Sequence, residues 1–228
     1  MAEHGGIKPI LPEPGLRTRI RFSAMRLTGE FIRGAWRRAE RWGGIWPTSK
    51  VAATFGSFGE GALVSFPLDA LVNAGAIHIG AGSLIGPHCV LAAGIVPNQP
   101  GLGADVVRVG ERCVIGRGSS IIGHTRIVIG DDVWTGHHVH ITDANHGYED
   151  ISIPIGSQFG QESSVRIGDG SWLGHGVIVL PGSDIGQHVV IGAGSVVTGA
   201  IPDRCVAVGS PARVVRRFVD GVWRSESD

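Results

Sequence analysis

Between positions 167 and 201 an aliphatic side chain returns every six residues, at Ile167, Leu173, Val179, Ile185, Ile191 and Val197. Glycine follows four of them directly, at Gly168, Gly174, Gly186 and Gly192. Four places beyond each aliphatic stands Ser171, Val177, Ser183, Val189, Ser195 or Ile201, all small or β-branched. Six is neither the helical nor the strand period, and a fixed longer period marks a repeat architecture. One hexad fits a short extended segment and a corner, and three hexads close a triangular coil with the aliphatics pointing inward. Each coil offers its backbone groups to the next, so coils are stable only as a stack. The pattern predicts an all-β chain of parallel coils.

The same hexads run from Ile79 through Ile85 to Leu91 and resume at Val109, Ile115 and Ile121. The break at 96–103, VPNQPGLG, reads either as a weak coil or as a loop whose length keeps the register. The phase then slips by two, to Ile129, Thr135 and Ile141, which predicts a bulge near Gly123 or Thr125. From Ile141 to Ile167 the chain departs from the repeat, and Pro202 ends it. Beyond it, 212–218 with Pro211 at its first turn predicts a short C-terminal helix that closes the stack.

Before the repeat, 43–78 reads as an imperfect first coil. Residues 1–27 hold Gly5, Gly6, Pro9, Pro12, Pro14 and Gly15 and predict irregular structure. A short helix is predicted over 28–42, capped by Thr28. Its apolar side would be Phe31, Ile32, Ala35, Trp36 and Ala39, with Arg33, Arg37, Arg38 and Arg41 opposite. Such a helix packs its aromatics on the coils or on a neighbouring subunit, or touches anionic lipid or a negatively charged carrier, or is simply a solvated arm. Three regions follow: a basic N-terminal extension over 1–60, a coil domain over 61–209 with an interrupting loop around 142–166, and a C-terminal helix and tail over 210–228.

Composition sharpens this picture in three places. Glycine fills 37 of 228 positions, as a fold made of corners requires. Formal net charge is zero, yet residues 1–50 carry ten Arg or Lys against four Asp or Glu, leaving ten against sixteen elsewhere. That imbalance predicts a local basic surface rather than a nucleic-acid-binding protein. Cys89, Cys113 and Cys205 have no metal-ligand spacing and read as buried small residues, and no metal site is expected. No apolar signal-type stretch opens the chain and nowhere do eighteen apolar residues run together, so the expected compartment is the cytoplasm.

The chemistry concentrates in 135–154, TGHHVHITDANHGYEDISIP, and in the run AVGSPARVV that follows the repeat. With these motifs the chain resembles the hexapeptide-repeat acyltransferases, in particular O-acetyltransferases of the maltose, galactoside and capsular-sugar type. The resemblance covers roughly 60–217 and implies a left-handed parallel β-helix. It implies His146 as the general base that takes a proton from the acceptor, a task suited to imidazole near neutral pH. Asp143 is the expected carboxylate partner of that ring, with Glu149 and Asp150 as others. Backbone N–H groups, or a side chain such as Ser157 or Gln158, would donate to the developing oxyanion. Members of the family often carry Pro after this histidine, where the present chain has Gly147.

The resemblance further implies acetyl-CoA as acyl donor, lying along corners near Trp172, Gly174, Ala193 and Gly194. Arg213 and Arg216 would meet its phosphates, with Arg204 a weaker choice. It also implies a homotrimer with sites at subunit interfaces. The expected function is transfer of an acetyl group to a hydroxyl of a sugar or glycan precursor, by direct attack without an acyl-enzyme. N-acylation of an amino sugar or amine is the alternative. A non-catalytic or zinc-dependent, carbonic-anhydrase-like β-helix stands third.

Overall fold

The computed structural model describes residues 16–226, with side chains from Met25 onward. The chain divides into two compact units between Trp42 and Gly43. The first is a single helix, α1, spanning Leu16–Trp42. It begins twelve residues before the predicted start, so 16–27 is helical where irregular structure was expected. From 16 to 28 the chain holds neither Gly nor Pro and is rich in Arg, Leu and Met, which favour helix. Arg26 and Glu30 add an ion pair one turn apart at 3.2 Å. The irregular opening expected over 1–15 lies outside the described residues.

The second unit is a left-handed parallel β-helix with three faces. The first sheet runs over seven strands from Ser57–Phe58 to Ala200–Ile201. The second starts at Leu63–Val64 and the third, of six strands, at Ala70–Val72. Each coil visits the first, second and third sheet in turn. The pairs Ile167 with Ile185, Leu173 with Ile191 and Val179 with Val197 lie one above the other, each eighteen residues apart. Ile79 pairs with Val109 and Leu91 with Ile121, thirty residues apart, so the stretch around 96–103 is an inserted loop and not a coil. Ile121 pairs with Ile141 at twenty, which locates the slip of two between the third and first sheets. Ile129 pairs with Ile167 at thirty-eight, and the surplus is the loop over 143–164. All three departures leave the stack at the same edge.

The six-residue aliphatics are buried to the last percent or two, and the β-branched and small residues four places on share the interior. Burying a serine hydroxyl is costly unless it is hydrogen-bonded. The Ser171 hydroxyl donates to the Gly186 carbonyl and accepts from the Val189 amide, so one side chain ties two coils. Cys89 and Cys113 take the same slot, fully buried, with their thiols on the carbonyls of Gly116 and Gly130. Corners turn through left-handed backbone, held by Gly118, Gly176 and Gly194 on one edge but also by His88 and His138. Histidine tolerates that region better than most side chains, so part of the histidine content is corner-building.

The C-terminal segment corrects the expectation of a helix. Arg213–Val219 is a strand antiparallel to Cys205–Val208, and Val222–Ser225 pairs back on it as a hairpin. Valines at 214, 215, 219 and 222 favour extended backbone. Asp220 and Gly221, with φ of 52° and 80°, make the two-residue turn that matches strand twist. The hairpin extends the second sheet past its last coil.

Candidate active site

The loop over 143–164 leaves the third sheet after the strand His140–Thr142 and returns at Val165–Ile167 in the first. Its two arms form a short antiparallel clasp around a bridge between His146 and Phe159. The Gly147 amide donates to the Gln158 carbonyl at 3.1 Å and the Gly160 amide to the Asn145 carbonyl at 3.0 Å. A Cβ on Gly160 would lie 2.6 Å from that Asn145 oxygen, and one on Gly147 3.1 Å from the Phe159 oxygen. The departure from the family's proline thus has a local reason: proline at 147 has no N–H to donate.

The Gln158 carbonyl oxygen also stands 3.3 Å from His146 Nδ1. A carbonyl only accepts, so a neutral His146 ring that makes this bond carries its proton on Nδ1 and its lone pair on Nε2. A backbone group therefore does the tautomer-setting expected of a carboxylate. Asp143, the residue expected there, is fully buried and engaged elsewhere. Its carboxylate accepts the amides of His124, Thr125 and Arg126 at 2.7, 2.9 and 2.6 Å, and the Thr125 hydroxyl at 3.0 Å. It holds the two-residue bulge in shape. Glu149 accepts from the Tyr148 amide, and the Asp150 carboxyl is held below the usual carboxylate range by Ser152, whose hydroxyl and amide both donate to it. The Gln158 side chain spans the loop, donating to the carbonyls of Asp150 and Ile153 and accepting the Asp150 amide. Those bonds occupy the amide expected to serve an oxyanion.

A cavity of about 400 Å³ opens beside the clasp. Its floor is apolar, from Val72, Ala92 and Ile122, and its polar wall is His146, Asn145, Thr142, His124 and Glu162. His124 and Glu162, 38 residues apart in sequence, pair through Nδ1 and Oε1 at 3.0 Å. Neither stood out in the sequence, where only the slip of two near Gly123 marked the place. Just outside this wall His140, half-buried and bonded to Ser120 Oγ at 2.6 Å, is pulled below the usual histidine range by burial.

The residues expected to meet the acyl donor lie at the other edge of the third sheet. Gly174 and Gly194 form successive corners between the second and third sheets, joined by the Gly194 amide on the His175 carbonyl at 2.8 Å. Gly174 is a structural necessity, since a Cβ there would lie 2.6 Å from the Ala193 nitrogen. Gly176 and Gly194 instead face open space, with no atom within 4 Å of an added Cβ. These corners form an open, Cβ-free backbone rail. Trp172 is exposed on the second sheet beside Trp134, its partner one coil away. Arg213 and Arg216 are exposed on the closing strand, and an Arg213 Nη donates to the Ala212 carbonyl. One chain therefore carries the His146 cavity and this rail on different edges.

Residues 164–199 match the family model described as bacterial transferase hexapeptide (six repeats). The chain is 44% identical over 110 residues to a probable acetyltransferase of Mycobacterium tuberculosis, covering 48% of this chain and 37% of that one. It is 36% identical over 143 residues to the galactoside O-acetyltransferase of Lactococcus lactis, covering 63% of this chain and 67% of that one. Among solved structures it superposes on AntD, an N-acyltransferase from Bacillus cereus captured with dTDP and 3-hydroxybutyryl-CoA. The TM-score there is 0.60 at 23% identity, over 72% of this chain and 84% of that one.

Proposed function

Because this chain belongs to the hexapeptide-repeat, left-handed β-helix acyltransferases, we propose that it carries an acyl group from acyl-CoA to a sugar or amino sugar. The observation that carries the reading is the Gln158 carbonyl oxygen 3.3 Å from His146 Nδ1, at the wall of the cavity. With Nδ1–H on the Gln158 carbonyl, Nε2 is free to take a proton from an acceptor held in the cavity. The acceptor's oxygen or nitrogen then attacks the thioester carbonyl directly. His146 holds the proton until the departing thiolate accepts it.

The narrower expectation of a hydroxyl acceptor widens to hydroxyl or amine. Relatives named as O-acetyltransferases favour the first. Two observations favour the second: the solved chains that superpose on this one include AntD, an N-acyltransferase bound to an amino sugar nucleotide or to dTDP, and Glu162 lines the cavity with a carboxylate able to hold an ammonium group. An amino sugar is therefore the first acceptor to try. Gly176, Gly194, Ala193 and Trp172 would receive the acyl donor, with Arg213 and Arg216 toward its phosphates. Because rail and base lie on different edges, a neighbouring chain would complete each site, as in a homotrimer. Outward Leu84, Trp134 and Trp172 on the second sheet supply an apolar face for such packing. Among the described residues no helix is long and apolar enough to cross a membrane, and a cytoplasmic setting, where acyl-CoA is at hand, suits the reading.

The test is thiol release from acetyl-CoA over a panel of sugars and amino sugars, with product analysis for O- against N-acylation. His146→Ala should lose about 10²-fold or more in kcat. Equal rates in variant and wild type would remove His146 as the base.

A further inference from the structure

From Met25 to Trp42 the helix α1 sets most of its charge and most of its apolar bulk on different sides, with Arg38 at the boundary beside Leu27 and Phe31. Arg26, Glu30, Arg33, Arg37 and Arg41 follow one another at intervals of four, three, four and four, a single stripe on a 3.6-residue helix. Leu27, Phe31, Ile32, Ala35, Ala39 and Trp42 fall away from that stripe. These side chains are not sheltered: Phe31 is 76% and Trp42 78% exposed, with Leu27, Ile32 and Met25 close behind. Over 16–42 the sequence holds eight Arg and two Glu, a net charge of +6. Arg26 pairs with Glu30, whereas Arg33, Arg37, Arg38 and Arg41 have no acidic partner among the described residues. Arg37, Arg38 and Arg41 gather around the small gap at Gly34.

We infer that α1 is an interfacial anchor that lays its Phe31–Trp42 side into an anionic lipid surface. An exposed aromatic and aliphatic strip of this size needs a cover, and the charge decides which. A second copy of the helix would bring +6 against +6. An anionic bilayer offers hydrocarbon to Phe31, Ile32 and Leu27, an interfacial layer suited to Trp36 and Trp42, and negative headgroups to the arginines. The helix lies along the surface rather than crossing it, because it is too polar to span. This inference is independent of the acyl-transfer reading.

The experiment uses the full chain, sedimented with vesicles of phosphatidylcholine alone and of equimolar phosphatidylcholine and phosphatidylglycerol. Partition onto the anionic vesicles should exceed that onto the neutral ones by about tenfold or more. It should fall when salt is raised to about 1 M, where screening shortens to about 3 Å. Two variants divide the contributions: Phe31→Ser with Ile32→Ser, and Arg33→Glu with Arg37→Glu and Arg41→Glu. Each should lose most of the binding while circular dichroism of the β-helix and thiol release stay at wild-type levels. Failure of the wild type to bind anionic vesicles, or equal binding to both compositions, overturns the inference. Analytical ultracentrifugation adds a further check: if Phe31→Ser with Ile32→Ser shifts the oligomer to smaller species and vesicles bind neither protein, the strip is an interface between copies instead.

Discussion

The carboxylate of Asp143 accepts both the amide and the hydroxyl of Thr125, at 2.9 and 3.0 Å, from a position with no solvent exposure. With the amides of His124 and Arg126 it satisfies the bulge where the coil gains two residues. Asp143→Asn puts an NH₂ group against donors, which should cost about 2–4 kcal/mol of stability. Because His124 rides on this bulge, acceptor KM should rise as well. Denaturant unfolding of the variant checks the first effect and steady-state kinetics the second.

On the proposed function, the pair of His124 and Glu162 in the cavity would serve the acceptor and not the donor. Glu162→Gln should raise KM for the acceptor by about tenfold with kcat and the acyl-CoA KM within about twofold, the signature of lost ground-state binding. A selective loss for amino sugars over neutral sugars would identify the ammonium as its ligand.

Gly147 tests why this chain departs from the family's proline. Gly147→Pro removes the donor to Gln158 and leaves the clasp one hydrogen bond short. The expected result is a kcat lower by about tenfold, from a His146 ring held less firmly, with little change in acyl-CoA KM. An unchanged kcat would mean the clasp does not govern the ring.

Two glycine substitutions should separate stacking from binding. A Cβ on Gly116 runs into the Gly136 carbonyl of the next coil, so Gly116→Ala should destabilise strongly, by about 3 kcal/mol or more. Gly194→Ala meets only its left-handed φ of 70°, worth about 1–2 kcal/mol. If the rail holds acyl-CoA, the second variant stays folded yet shows a raised acyl-CoA KM. Thermal melts and donor titrations distinguish the two.

His140 gives a pH dependence of stability. Burial pulls its imidazole below the usual range of about 6.5, so the unfolded chain takes up the proton more readily than the folded one. Its contribution is therefore complete above about pH 6.5 and is lost as pH falls toward the folded value. The urea midpoint should drop across that window, and His140→Gln should flatten part of the drop.

By itself the sequence determined the interior. A six-residue period dictates which side chains point inward, so the coils, the buried Ser and Cys slots, the two-residue slip at Gly123 and the interruption holding His146 were legible without coordinates. The closing hairpin was not among them: 212–218 predicts a helix by its spacing, and only the structure brings out the turn at Asp220-Gly221 between valines. The length of the break before Val109 left coil and loop both open for a plain reason: a loop of two hexads preserves phase as well as two hexads of coil. Only the tertiary structure decided what meets what across coils. Asp143 lies beside His146 in sequence but serves residues eighteen or so positions earlier, and the ring is set by Gln158, twelve positions later. His124 and Glu162 converge because three departures from the repeat leave the stack at one edge. A local pattern encodes whether a side chain faces in or out, while the partners of outward residues are set by how neighbouring turns stack.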